Sequence, residues 1–285
     1  MRILTGKLEV SFQLRVSTVG IVCSNDGECA LYFVNTAPLA FSHSTWTSPW
    51  TTLVPIPTGV SPIAAAGAPV AAVTARGSII PYVYASSQVF INGDSGGVGT
   101  YGIQIAKQVG AHVTVSCSTR NVDLCRSLGA GEVLDYTKRP LSKQLQDVAD
   151  RLRPFDHIVD NVFSDPALYF QGRTCTSANA KFVEVASGPE LDFLRFALGA
   201  LLWPSCFGGG RRKLVFAYAD INNKNLAQIA KGMADGDVKP VTDQVFAMED
   251  TVEAFRRLKT CRATGKVIGA VDGRCKCLVG PHFPM

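Results

Sequence analysis

The sequence predicts an α/β fold with a doubly wound parallel sheet from about residue 88 onward. Three observations support this prediction. Short β-rich runs alternate with runs of helical periodicity, a glycine cluster follows the first such strand, and 47% of the 285 residues are apolar while 18% are charged. That composition can bury a large core, and the alternation is typical of crossovers that place helices on both faces of a parallel sheet.

The predicted strands and helices follow one another in a regular order. Apolar runs predict strands at residues 89–91, 112–117, 133–134, 155–159, 182–185 and 214–218. Helical spacing of apolar residues predicts helices at residues 98–109, 122–128, 141–152, 166–171, around 191–202, and 223–233.

The part of the chain that precedes this pattern is less regular. Residues 1–51 mix short apolar stretches with Ser, Thr and Trp, and they suggest strands at residues 8–16, 19–23 and 29–34. Residues 52–87 are rich in Pro, Ala and Val, which indicates a connector with a short Ala-rich helix. We therefore expect three segments: a shortened N-terminal region and connector at 1–75, a central domain at 76–238, and a return segment with a tail at 239–285.

Composition disfavours several classes of partner. The formal net charge is only +5 and no long basic run occurs, so nucleic-acid binding is not expected. The longest apolar run, residues 196–207, contains a proline and is too short to span a bilayer. Nine cysteines without a C-x-x-C pair, and no Cys/His set at zinc-ligand spacing, predict reduced thiols and no metal site. We expect an intracellular protein, cytoplasmic or mitochondrial. Cys275 and Cys277 stand one residue apart, which could suggest metal capture, but a fraying, exposed end is the favoured interpretation.

The glycine cluster at residues 93–99 is the most informative motif. Glycines between a strand and a helix let backbone amides approach a pyrophosphate, whose charge also favours the positive end of the helix dipole. Gly96 would permit this close contact, and Gly99 would permit tight packing of the helix on the strand. Asp94 takes the place of the first glycine of the usual pattern. The cluster therefore predicts a dinucleotide site.

A different reading of the same residues is a protease nucleophile, because Gly93-Asp94-Ser95-Gly96-Gly97 also surrounds the serine of trypsin-like proteases. In that family a histidine and a carboxylate precede the serine. His43 is the only earlier histidine, it lies in no matching motif, and a predicted helix follows the cluster. An α/β-hydrolase turn would need Gly-x-Ser-x-Gly, which is absent here. The dinucleotide interpretation is favoured.

The end of the second strand of the central domain indicates which dinucleotide binds. A carboxylate there would accept hydrogen bonds from free ribose hydroxyls, but this chain has Ser118, Thr119 and Arg120. Two hydroxyls and a guanidinium suit a 2′-phosphate, and the next acid along the chain, Asp123, falls inside the following helix. The sequence therefore predicts NADP rather than NAD.

Several separated motifs, in order, carry a resemblance over about four-fifths of the chain. They are LVPIP at 53–57, AAAGAPVAAVTA at 64–75, SGGVG at 95–99, SLGA at 127–130, VLDY at 133–136, FDHIVDN at 155–161 and RATGKV at 262–267. Together they resemble the medium-chain dehydrogenase/reductase superfamily, in particular its zinc-free quinone-oxidoreductase-like branch, which includes mitochondrial reticulon-interacting reductases. The resemblance implies that residues 76–238 form an NADP-binding Rossmann domain and that a partial or degenerate GroES-like region precedes it.

The resemblance also implies roles for individual residues. Ser95, Gly97 and Val98 would hold the pyrophosphate, and Ser118 and Arg120 the 2′-phosphate. Tyr136 would contact the adenosine end, and Asn161 the ribose and nicotinamide. Thr74, Arg262 and Thr264 would reach the cofactor from outside the glycine loop. Two of these residues have an equally simple structural interpretation, since Thr74 could cap a helix and Arg262 could be a solvated charge.

We expect from this resemblance a zinc-independent, NADPH-dependent oxidoreductase that transfers hydride to a small molecule, a quinone or a conjugated carbonyl. No catalytic residue is assigned, because a quinone can take its proton from solvent. The alternative is a non-catalytic NADP-binding module, because the first fifty residues do not match a complete substrate domain. An apolar helix at residues 193–203 suggests a homodimer.

Overall fold

The computed structural model describes residues 18–23, 29–34, 52–163, 167–185, 196, 198–199, 213–217, 219–271 and 274–277. The strand expected at residues 8–16 lies outside these ranges. So does most of the helix expected around residues 191–202, although residues 196, 198 and 199 are helical. The proposed dimerisation helix at 193–203 falls largely in the same gap.

A three-stranded antiparallel sheet contains the first described residues. Its strands are β1 (Thr18–Cys23), β2 (Cys29–Val34) and β3 (Thr52–Pro55), in the order β1-β2-β3. The first two match the sequence-based prediction. Two helices follow, α1 (Pro62–Ala66) and α2 (Pro69–Ile79), each with proline in its first turn, where the missing amide costs nothing. Helix α2 is longer than the short helix expected and is largely buried, because its alanines permit close packing.

The central sheet has six parallel strands. They are β4 (Gln88–Asn92), β5 (His112–Cys117), β6 (Glu132–Asp135), β7 (Phe155–Asp160), β8 (Thr176–Glu184) and β9 (Lys213–Phe216). Their order is β6-β5-β4-β7-β8-β9, and every neighbouring pair is parallel. This order confirms the doubly wound prediction, although β8 begins six residues before the predicted start. The direction of winding reverses between β4 and β7, where such folds bind ligands.

Helices cover both faces of this sheet and bury two apolar clusters. They are α3 (Gly97–Gln108), α4 (Val122–Ser127), α5 (Leu141–Arg151), α6 (Ala167–Gln171) and α7 (Asn223–Ala234). Side chains alternate across β4, so Val89 and Ile91 join one cluster while Phe90 joins the other. Among the residues that the structure describes, every helix is too short or too polar to cross a lipid bilayer.

A third sheet forms where the sequence suggested only a return segment and tail. Strand β10 (Thr242–Ala247) runs parallel to β11 (Lys266–Val271), with α8 (Thr251–Lys259) between them, and β12 (Arg274–Cys277) is antiparallel to β11. Cys275 and Cys277 therefore lie in a paired strand, opposite Ala270 and Ile268, and the expectation of a fraying end there was wrong.

Candidate functional site

Polar side chains connect three strands at the point where the winding reverses. Asn92, the last residue of β4, donates through Nδ2 to Asp160 Oδ1 at 2.9 Å and accepts at Oδ1 from the Ser116 hydroxyl at 2.7 Å. Asp160 Oδ1 also accepts from the amides of Val162 and Phe163 at 3.0 and 3.1 Å. This buried network fixes the ends of β4, β5 and β7, so the loops that follow them start from rigid positions.

At two positions, the loop after β4 and the start of α3 have room only for glycine. Gly93 has φ +74°, and a Cβ there would lie 2.1 Å from Val162 Cγ2. A Cβ on Gly99 would lie 2.3 Å from the Asp94 Cα. The first turn of α3 therefore packs directly on the loop backbone, which agrees with the role predicted for Gly99.

Helix α3 begins without a side-chain cap. Gly96 is its N-cap residue, so the first amides of the helix have no side-chain acceptor and remain available to an anion. A Cβ on Gly96 would meet only the Gly93 carbonyl oxygen, at an ordinary 3.5 Å. Protein packing does not require glycine there, which fits space left for a ligand. Val98 instead packs on the apolar core.

Lys266 is a functional candidate that the sequence analysis missed. Its Cδ lies 2.6 Å, and its Nζ 3.6 Å, from the position of a Cβ added to Gly97. The lysine stem therefore occupies the space that glycine leaves, and its ammonium group lies beside the start of α3. The signal was its place in the RATGKV motif, two residues after Thr264, which was already assigned to the site.

The turn before β11 is bound to the glycine loop. The Gly265 amide donates to the Ser95 carbonyl at 2.8 Å, and Gly265 pairs with Gly96 in a parallel bridge. Thr264 donates through its amide to Asp243 Oδ1 at 2.9 Å and through its hydroxyl to Asn121 Oδ1 at 3.3 Å. The structure thus brings Ser95, Gly96 and Thr264 together, while their contacts with a cofactor stay predictions.

The predicted phosphate cradle lies beside that turn. Arg120 is exposed, and its Nη2 donates to the Arg262 carbonyl at 2.9 Å, so this contact orients its guanidinium. Ser118 precedes the short helical turn Thr119–Asn121. Tyr136 follows β6 with 55% of its surface exposed, and its amide donates to the Cys117 carbonyl. The exposed Arg262 contributes its carbonyl oxygen to this arrangement, accepting from Arg257 as well as Arg120.

An acid that the sequence analysis did not consider lies in this region. Asp135, at the end of β6, accepts from the Thr119 hydroxyl at 2.5 Å and from the Thr137 hydroxyl at 2.6 Å. These hydrogen bonds lower the pKa of Asp135 to about 2. Sequence reasoning inspected only the end of β5, whereas β6 brings its own carboxylate to the same edge. Because the Thr119 hydroxyl already binds Asp135, it is a weaker candidate for a phosphate contact.

Asn161 and Thr74 differ in what they offer a ligand. Asn161 donates through Nδ2 to the Asn92 carbonyl at 3.0 Å, while its buried Oδ1 has no hydrogen-bond partner. A ligand donor at the nicotinamide end would satisfy that oxygen. Thr74 lies in the middle of α2, where its hydroxyl donates to the Val70 carbonyl at 2.7 Å. It does not cap a helix, so that interpretation was wrong.

Comparisons with known proteins agree with this geometry. A family model described as zinc-binding dehydrogenase matches residues 128–268. The trans-enoyl reductase pgmF of Aspergillus terreus is 42% identical over 226 residues, which cover 77% of this chain and 62% of pgmF. The mitochondrial NAD(P)H oxidoreductase RTN4IP1 of Danio rerio is 32% identical over 196 residues, covering 66% of this chain and 50% of its own length. The chain thus spans less than two thirds of these relatives.

A solved structure shows the same fold. The quinone oxidoreductase of Coxiella burnetii superposes with a TM-score of 0.66 at 20% sequence identity, over 85% of this chain and 72% of that one. The sheet order, the glycine loop at the reversal point and the sequence relatives lead to one assignment. The chain belongs to the medium-chain dehydrogenase/reductase superfamily.

Proposed function

We propose that this protein is an NADPH-dependent oxidoreductase that reduces a quinone or a conjugated carbonyl compound. One observation carries the proposal: the uncapped start of α3 faces the reversal point of the sheet, with Gly96 leaving space and Lys266 adding positive charge. Relatives named trans-enoyl reductase and NAD(P)H oxidoreductase support the same class of reaction.

Each part of the dinucleotide would have its own contacts in this arrangement. The pyrophosphate would accept hydrogen bonds from the backbone at residues 95–98 and from the Lys266 ammonium. The 2′-phosphate would lie at Ser118 and Arg120, and the adenine ring against Tyr136. Asn161 Oδ1 would accept a hydrogen bond at the nicotinamide end, and the turn with Arg262 and Thr264 would cover the cofactor. Thr74 retains only the capacity to accept a hydrogen bond.

NADP is favoured over NAD by charge. Arg120 supplies a forked cation. By contrast, both carboxylate oxygens of Asp135 accept hydrogen bonds from threonines, and the Lys138 ammonium lies 3.7 Å from its Oδ2. A carboxylate engaged in this way is a poor acceptor for ribose hydroxyls. The balance of charge therefore supports a 2′-phosphate.

Bound NADPH would supply the hydride. The chain's contribution would be to orient the nicotinamide face and to exclude water, which together give the reaction its geometry. No residue is assigned as a catalytic acid or base, because a quinone can be protonated by solvent. We also propose that the reaction needs no zinc, and no residue is assigned to a catalytic metal.

The second candidate is a non-catalytic NADP-binding module. It is favoured by the sequence resemblance, in which the first fifty residues do not match a complete substrate domain. Such a protein would bind the cofactor with the same contacts and would lack the surface that holds a substrate against it.

Fluorescence titration with NADPH, followed by turnover assays with a panel of quinones and enones, tests both candidates. Binding with turnover supports the reductase, and binding without turnover supports the module. A titration without binding contradicts both. Lys266→Met keeps the side-chain stem and removes the charge, so we expect about a tenfold loss of NADPH affinity. Lys143→Met, on the exposed face of α5, is the matched control and leaves affinity unchanged.

A further inference from the structure

Three potential metal ligands converge beneath the glycine loop. Asp94 lies in the loop itself, Cys117 ends β5, and Cys125 lies in α4. Their ligand atoms all lie within 4.8 Å of one another, and none of the three residues exposes more than 1% of its surface. Because the three come from separate elements, no spacing in the sequence revealed them, and the sequence predicted no metal site.

The Asp94 carboxylate is the unusual member of the cluster. Both of its oxygens are buried and neither accepts a hydrogen bond of ordinary geometry. Burial raises the pKa of Asp94 to about 7, although the nearby Cys125 thiol offsets part of the effect. A hydrogen bond with Cys117, together with burial, raises the pKa of the Cys125 thiol above its ordinary value. A buried carboxyl group without hydrogen bonds of ordinary geometry costs free energy, which a ligand at this position would recover.

We propose that Asp94, Cys117 and Cys125 form a binding site for a thiophilic divalent cation of the Zn²⁺ or Cd²⁺ type. Thiolate sulfur is the preferred ligand of such ions, and one carboxylate oxygen is compatible with them. Tetrahedral coordination with metal–sulfur bonds of about 2.3 Å puts ligand atoms roughly 3.8 Å apart. The 4.8 Å limit on the present separations therefore requires a contraction of about 1 Å at most.

Binding would exchange protons for the cation. Two sulfur–metal bonds and one oxygen–metal bond form, and the protons of both thiols and of the carboxyl group leave for solvent. Two thiolates and a carboxylate around a divalent ion leave one net negative charge. The amino end of α3, which begins three residues after Asp94, carries the partial positive charge that opposes it.

The site is separate from the proposed pyrophosphate contacts but shares the loop with them. Asp94 directly precedes Ser95, and its backbone is confined by the close approach of Gly99. A bound cation would thus hold the loop at the Asp94 side chain, while the backbone at residues 95–98 remains free for the cofactor.

The test is a titration of reduced, metal-free protein with Cd²⁺ alone, in a non-thiol reductant. We expect one strongly bound equivalent, with the ultraviolet charge-transfer absorption of cadmium thiolates and the release of two to three protons. Asp94→Asn should lower the affinity at least tenfold, and Cys117→Ser should abolish the absorption of that equivalent. The double variant Cys275→Ser/Cys277→Ser is the matched control, because it removes two thiols from β12 and should bind as the wild type does.

Cadmium NMR of the wild-type complex keeps the test valid if a buried cysteine variant fails to fold. A resonance in the range of two sulfur ligands with oxygen supports the site. A sulfur-free or all-sulfur shift, an unchanged titration for Asp94→Asn, or loss of the signal in the β12 double variant would each overturn the proposal.

Discussion

The side-chain amide of Gln104 bonds both backbone polar groups of Lys239, donating to the carbonyl at 3.0 Å and accepting from the amide at 2.7 Å. Gln104 is a buried residue of α3, and Lys239 belongs to the segment that leads to β10. One side chain therefore secures the C-terminal segment to the helix that begins at the glycine loop.

Replacing Gln104 with Ala should destabilise the protein by about 1–3 kcal/mol, because it removes a buried side chain and leaves two partly buried backbone groups of Lys239 without their partners. Urea denaturation measures the change. Gln108→Ala is the control, since its exposed side chain makes one bond, to the Asp237 carbonyl, that water can replace. Equal losses for the two variants would contradict the importance of burial here.

Replacing glycine with alanine at two positions of α3 should have opposite effects on stability. Gly99→Ala places a methyl group 2.3 Å from backbone atoms of Asp94, so we expect a loss of about 3 kcal/mol and disruption of the loop. Gly102→Ala meets only a flexible side-chain atom, Ile91 Cδ1, at 3.4 Å, and should gain up to about 1 kcal/mol from helix propensity. Thermal or chemical unfolding distinguishes them, and a stable Gly99→Ala protein would show that the loop is not packed as described.

Arg120→Ala should weaken NADPH binding by roughly 10- to 100-fold and leave NADH binding nearly unchanged, because NADH lacks the 2′-phosphate. The comparison of the two nucleotides separates a phosphate contact from loss of the hydrogen bond that joins Arg120 to the Arg262 carbonyl. Arg126→Ala, an exposed arginine of α4, should behave as the wild type. An equal loss of affinity for both nucleotides would mean that Arg120 only holds the turn through the Arg262 carbonyl and does not contact the phosphate.

His157 should make stability depend on pH in the mildly acidic range. It is fully buried, its Nε2 donates to the Ser78 carbonyl at 2.8 Å, and burial lowers its pKa to about 4. The unfolded chain, with a histidine pKa of about 6.5, binds a proton that the folded protein does not, so stability falls as pH drops from about 6.5 to about 4. That difference corresponds to about 3 kcal/mol over the whole window.

His157→Gln removes this titration and keeps a donor for the Ser78 carbonyl. Denaturation at several pH values should give a shallower slope for the variant than for the wild type, while the carboxyl groups contribute equally to both. Identical slopes would mean that His157 binds its proton equally well in the folded and the unfolded protein.

The central sheet could be predicted because each strand is a compact apolar run between helical segments. The third sheet could not, for two physical reasons. Val245 of β10 exposes 45% of its surface, and β12 alternates Arg and Lys with Cys, so neither strand carries the pattern of a buried strand. Edge strands that depend on one neighbour leave little trace in composition.

The site was predictable only where its residues are neighbours in sequence. The loop around Gly96 and the predicted phosphate cradle at Arg120 are continuous motifs, and the structure places both stretches at the same edge of the sheet. Asp135 and Lys266 reach that edge from other strands, so their proximity depends on sheet order rather than on spacing. The same reason hid the cluster of Asp94 and two cysteines.

The hydrogen bond from Arg120 to Arg262 joins positions 142 residues apart along the chain. During synthesis Arg120 emerges from the ribosome long before Arg262 exists, so the contact between them forms only after translation has passed position 262. Until then the turn that we propose to cover the cofactor is missing, so a polypeptide that stops before residue 262 should retain NADPH weakly.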